Sequence, residues 1–128
     1  MKIHEGDIEY YTNGCCWSLA WQIYRILNRD YDITPTIVTV GYDKGDWKHY
    51  EDWCHVLVKV GDKYLDVEGL HSRRQIRNKW GNDVVEHGPF KTFKQYKKGI
   101  APVGFGIEDT YYRHTVELAY TVIERYLP

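Results

Sequence analysis

Residues 54–69 read CHVLVKVGDKYLDVEG. Apolar side chains alternate through CHVLVKV, which predicts a strand with one buried face. Gly61 and Asp62 interrupt the alternation, and a glycine in the first position of a two-residue connection suits a type II′ hairpin. KYLDVEG is then the return strand. That turn sets a register of Val60 opposite Lys63, Leu57 opposite Asp66 and His55 opposite Glu68. Strand residues two apart share a face, so His55, Leu57, Asp66 and Glu68 project from the same side. Asp66 lies diagonal to His55 and Glu68 directly across from it, both within reach of an imidazole. A carboxylate there accepts a hydrogen bond from one ring nitrogen, holds the ring and stabilises the imidazolium.

Upstream, NGCCWSLAW occupies residues 13–21. Asn13 reads as a helix N-cap and Gly14 as the residue that lets the backbone turn. Cys16, Leu19, Ala20, Ile23, Ile26 and Leu27 fall at helical spacing, so a helix is predicted from about Cys15 to Asn28. The first fourteen residues read as irregular. TIVTVGY (36–42) is a short β-branched strand, and the polar, aromatic DKGDWKHYEDW (43–53) is a loop. Downstream, Ser72 caps a short helix, SRRQIRNKW, ended by Gly81. Short strands are expected around Val84–Val85 and Phe90–Tyr96. Val116, Ala119, Val122, Ile123 and Tyr126 mark an amphipathic helix from about Tyr112 to Leu127, expected to pack on the sheet. The pattern is α+β with a mainly antiparallel sheet, in one domain spanning 1–128.

The bulk composition narrows the function classes. A chain of 128 residues that is 43% hydrophobic can bury a core. Its 12 tyrosines and 5 tryptophans exceed what a core alone asks for and suit an aromatic cleft, with Trp53 as a substrate-binding wall. A net charge of −1 gives no reason to expect nucleic acid. Arg73, Arg74, Arg77, Lys79, Lys91, Lys94, Lys97 and Lys98 outnumber Asp83 and Glu86 between His71 and Gly99. They read as a solvated face, with an acidic ligand as the alternative. No apolar run reaches about 18 residues, so no membrane span is expected. MKIHEGDIEYY shows no signal-peptide core. The three cysteines are an odd number, two of them vicinal, which predicts reduced thiols and a cytoplasmic protein.

Cys16 lies on the apolar stripe and in the first helical turn. There the dipole and the unpaired N–H groups favour an anion, and the thiolate is the nucleophilic form of cysteine. An imidazole beside it would give a thiolate–imidazolium pair. His49 reads as an exposed loop residue and His71 as a surface residue near the cleft rim. Adjacent Cys15–Cys16 and Cys54–His55 point their side chains apart and lack the C-x2-4-C spacing of structural zinc, so no metal is expected. No calcium loop, phosphate loop or dinucleotide fingerprint is present, and no cofactor is expected.

The run G-C-C-W-S-L-A resembles the nucleophile motif of transglutaminase-like enzymes, in which Gly-x-Cys-Trp opens a helix and a small residue, here Ala20, follows four positions after the cysteine. TIVTVGY, CHVLVKV and KYLDVEG resemble, in order, the strand after that helix, the histidine strand and the aspartate strand. The resemblance covers about residues 13–70 and extends to small bacterial and phage proteins of this type. It implies the core shared with papain-like proteases and arylamine acetyltransferases, the nucleophile helix packed on the sheet. It selects Cys16 over Cys15. It also implies a Cys16–His55–Asp66 triad that makes an acyl-enzyme from an amide or thioester, in a protein, peptide or small molecule. Water would resolve that intermediate in a protease or amidase, and an amine in an acyltransferase. The backbone N–H of Cys16 is one oxyanion donor, while Tyr10, Tyr11 and Asn13 stay open as sources of another. Glu68 is the alternative orienting acid. The competing expectation is an inactive papain-like binding module for a protein or acidic small molecule, such as a phage protein that blocks a host factor.

Overall fold

The computed structural model describes residues 1–12, 15–41, 53–80, 83–100 and 111–128, with the side chains of residues 53, 54, 83, 97, 99 and 100 outside the described set. The expected N-cap Asn13 with Gly14, the loop carrying His49, and the helix stop Gly81 lie outside the described residues. In chain order the elements are α1 (Glu5–Thr12), α2 (Cys16–Asp30), β1 (Thr36–Gly41), β2 (Trp53–Val60), β3 (Lys63–Asp66), β4 (Gly69–His71), α3 (Arg73–Trp80), β5 (Asp83–His87), α4 (Phe93–Ile100) and α5 (Tyr112–Tyr126). The strands form one sheet in the order β4-β3-β2-β1-β5, every described pairing antiparallel. The fold is therefore α+β.

Helix α2 is the centre of the packing. From Cys16 to Leu27 every residue except Arg25 is buried. A helix buried all round must lie between two layers. The sheet covers one side through β1, β2 and β3, and α5 covers the other. This differs from the expected packing of α5 on the sheet. Because α2 already occupies that face, the apolar stripe of α5 (Leu118, Ala119, Val122, Ile123) closes over α2, and α5 reaches the sheet mainly at β4. Ile37, Val56, Val58 and Leu65 join the α2 core. Val38, Val40, Leu57 and Tyr64, on the alternate positions, form a second cluster with Ile76 of α3.

Val60 pairs with Lys63 as expected, and the ladder continues through Lys59 with Tyr64 to Val58 with Leu65, where the described pairing of β2 and β3 ends. Gly61 has φ 63°, as the first position of a primed turn requires. The return strand is shorter than KYLDVEG. It stops at Asp66, whose Oδ1 accepts the N–H groups of Glu68 (2.9 Å) and Gly69 (3.2 Å). An aspartate that bonds its own backbone two residues on makes a turn. The chain folds back as β4, with Asp66 opposite Gly69 and Tyr64 opposite His71. The expected pairing of His55 with Glu68 is therefore not formed. Gly69 sits at φ 133°, and a Cβ there would meet the Tyr126 ring of α5 at 3.3 Å, so a larger residue would be strained in the turn and would press on α5.

Two further elements differ from expectation. Residues 5–12 form α1 rather than an irregular arm. Its acidic first turn (Glu5, Asp7) suits the helix dipole, and Asp7 Oδ2 accepts the His4 N–H at 2.9 Å, which is half of a capping box. Tyr11 Oη and Thr115 Oγ1 are 2.5 Å apart, and His114 Nε2 donates to Asp7 Oδ1 at 2.6 Å, clasping α1 to α5. The strand expected around Phe90–Tyr96 is not formed; α4 begins at Phe93 instead, and Phe93 and Tyr96, three apart, face the same aromatic cluster with Trp21. Thr92 Oγ1 accepts the Gln95 N–H at 3.2 Å and caps that helix. The expected Ser72 cap is present as a complete capping box, with Gln75 N–H to Ser72 Oγ at 3.2 Å and Ser72 N–H to Gln75 Oε1 at 2.7 Å. The strand expected at Val84–Val85 is β5.

Ile23 is fully buried in the α2 core. Ile23→Ala should lower the unfolding free energy by about 2–5 kcal/mol, read from the urea midpoint at unchanged slope. A loss under about 1 kcal/mol would mean that α2 is not enclosed as described.

Candidate active site

Cys16 is the first residue of α2 and exposes 7% of its surface. Cys15 stands at the N-cap and makes no side-chain capping bond. The Ser18 hydroxyl donates to the Cys15 carbonyl at 2.9 Å and tightens this first turn. Tyr96 of α4 donates its hydroxyl to the Trp17 carbonyl at 2.7 Å, so α4 grips the backbone beside the thiol. The rings of Trp17, Trp21 and Tyr96 pack around Phe93. Burial, and after it the charge of Cys16, pushes the Tyr96 phenol well above its ordinary range. Tyr96 therefore keeps its proton and remains a donor.

His55 lies near the start of β2 and is buried. Its Nε2 is 2.7 Å from Asp66 Oδ2. A carboxylate can only accept, so Nε2 carries the hydrogen and the neutral ring has its lone pair on Nδ1. Among the described residues, His55 Nδ1 is the buried side-chain polar atom that has no hydrogen-bond partner. Burial pulls the imidazole toward neutrality, but the Asp66 hydrogen bond and then the Cys16 side chain act against it. The net effect is a ring pushed up to about 9. Cys16 is thus close enough to act on His55.

The expected shared face of His55, Leu57 and Asp66 is present, and it is the α3 face. Leu57 packs in the Ile76 cluster, and the His55 ring stacks on Trp80, the last residue of α3, with centroids 4.4 Å apart at 20°. Cys16 belongs to the core on the opposite face. Thiol and imidazole therefore approach at the end of the sheet, where β1 and β2 lose regular register between Val40 and Gly41.

Asp66 is 4% exposed. Its Oδ2 takes His55, while its Oδ1 takes the Glu68 and Gly69 N–H groups and His71 Nε2 at 2.8 Å. Burial alone would raise this carboxyl, yet the two imidazoles outweigh it and hold it well below the usual carboxylate range. Glu68 points its carboxylate at Lys79 instead, so Asp66 is the acid that meets His55.

The three expected residues Cys16, His55 and Asp66 are thus brought together. The Trp53 side chain, expected to wall a cleft, lies outside the described residues. Tyr11 engages Thr115, and Tyr10 packs edge-on against Tyr11 and Tyr111. His71, expected at the surface, is half-buried on Asp66. Trp80 and Tyr96 were not anticipated at the site. Trp80 carried a signal, since it falls four positions after Ile76 on the same helix face; Tyr96 lies on helix α4, where a strand was expected. Arg73, Arg74, Arg77, Lys91, Lys94 and Lys98 are exposed, as a solvated face requires. No helix among the described residues is long and apolar enough to cross a membrane.

The raised His55 makes stability depend on pH with a definite sign. Its contribution is complete below the ordinary value of 6.5 and is lost as pH rises through about 9. The depressed Asp66 contributes above its ordinary 3.8 and loses that contribution as pH falls. Stability should therefore peak between those ordinary values and fall by up to about 3 kcal/mol on the alkaline side. His55→Gln should flatten the alkaline limb in urea titrations. A parent curve that is level from pH 6.5 to 9 would contradict the assignment.

Comparison of the chain with protein-family models, curated proteins and solved structures gives no match.

Proposed function

We propose that the protein is a cysteine-dependent hydrolase or acyltransferase acting on an amide or thioester, with a transglutaminase-like or papain-like core. The carrying observation is the buried His55–Asp66 pair at 2.7 Å, with Nδ1 unpartnered and under the influence of Cys16 at a helix N-terminus. The order of nucleophile helix, strand, histidine strand and aspartate strand supports the same reading.

The chemistry follows from the geometry. His55 Nδ1 takes the Cys16 proton, and the sulfur adds to the carbonyl carbon. The oxyanion faces the first-turn N–H groups of α2, where the dipole favours negative charge. As the tetrahedral adduct collapses, the imidazolium returns the proton to the leaving amine or thiol and an acyl-cysteine remains. Asp66 stabilises the imidazolium in both halves. Water, activated by Nδ1, then releases the acid; an amine in its place gives acyl transfer. We favour hydrolysis, which needs no second binding site. Two free thiols side by side, Cys15 and Cys16, suit a reducing, cytoplasmic setting.

A second reading, an inactive binding module for an acidic partner, has one observation in its favour. A surface cavity of about 430 Å³ is lined by Lys59, Lys63, Arg73 and Arg74, with Asp62 as its acidic residue. Thiol reactivity separates the two. In the enzyme, iodoacetamide labels Cys16 at pH 5–6 at least about tenfold faster than an ordinary thiol, and His55→Ala abolishes the excess. Labelling that follows an ordinary thiol in both proteins would leave the binding module standing and the enzyme reading overturned.

A further inference from the structure

His71 takes no part in the chemistry above, yet it is bonded to the same carboxylate as His55. The two rings meet opposite oxygens of Asp66, His55 Nε2 on Oδ2 at 2.7 Å and His71 Nε2 on Oδ1 at 2.8 Å. Side-chain exposure rises along the series, 0% for His55, 5% for Asp66 and 21% for His71. His71 is thus the member of the series in contact with solvent.

A carboxylate orients an imidazole only as well as it is oriented itself. Rotation of Asp66 about Cβ–Cγ would swing Oδ2 out of line with His55 Nε2 and weaken the bond that stabilises the imidazolium. Each donor on Oδ1 resists that rotation. Two are the backbone N–H groups of the turn, Glu68 and Gly69; the third is His71. The third is itself well anchored. It stands opposite Tyr64 in the β3–β4 ladder, and the next residue, Ser72, opens the capping box of α3.

We propose that His71 is a positioning residue for the Cys16–His55 pair, acting through Asp66 by fixing the plane of its carboxylate. It touches no reacting atom. The inference rests on the triad reading above, and it predicts a specific chemical requirement at position 71: an N–H donor at the reach of Nε2. Glutamine meets that requirement and leucine does not.

The test is the pH profile of Cys16 alkylation by iodoacetamide, read by site-resolved mass spectrometry, in the parent, His71→Leu, His71→Gln and His55→Ala, with a thermal melt of each. His71→Leu should label about tenfold more slowly at pH 6 while His71→Gln stays within about threefold of the parent, with each variant still folded at the labelling temperature in the melt. Parent-like labelling in His71→Leu, with the loss in His55→Ala intact, overturns the role of His71 alone. Equal losses in the leucine and glutamine variants also overturn it, since the histidine would then serve the fold and not the carboxylate. Unchanged labelling in His55→Ala overturns the triad, and His71 positioning with it.

Discussion

The fold and the site both depend on one buried anion, the carboxylate of Asp66. A charge out of water is costly unless every lone pair is answered, and here four donors answer it. Those same donors build the surroundings. The two backbone groups turn β3 into β4, which delivers His71 and then Ser72, where α3 begins. Seven residues beyond its first, α3 ends in Trp80, whose ring lies on His55. The chain leaving Asp66 thus returns to the ring that Asp66 holds. A defect in the turn would be felt at the imidazole by two routes, directly through the hydrogen bond and indirectly through the stacked indole.

The thiol is framed differently. Cys16 is fixed by the packing of a helix that has almost no exposed side until Asn28, and by Tyr96 and the aromatic cluster of α4 at its first turn. Sheet and helix layers therefore supply the two halves of the site independently, and they meet at the sheet end. Low exposure on both sides keeps the local dielectric low, which strengthens the hold of the Asp66 carboxylate on the imidazole.

Much of this was legible in the sequence because it is local. The alternation in CHVLVKV and the Gly61–Asp62 turn place His55 diagonal to Asp66 with no long-range information. The cysteine at a helix start is equally local. What escaped depends on contacts the sequence does not display side by side. Glu68, the alternative acid, lost its place opposite His55 because the Asp66 turn ended the strand. Helix α1 has no apolar stripe to announce it and is held through Tyr11 and His114 to α5. Around Phe90–Tyr96 a strand was expected, although Phe93 and Tyr96 stand at the spacing of three that belongs to a helix. No pattern in the chain marks His71 as a partner of Asp66, since an exposed strand histidine and a half-buried one read alike.

The clasp between α1 and α5 joins residues 104 and 107 positions apart. Contacts of such sequence separation form late, because the intervening chain must be ordered or closed as a loop first. Tyr126 of the same helix seals the Gly69 turn. During synthesis α2 and β2 therefore emerge well before α5, and α2 lacks its outer cover until α5 follows. The enclosure of Cys16 is completed in this way only when α5 docks, and a nascent chain would carry α2 with its outer side bare.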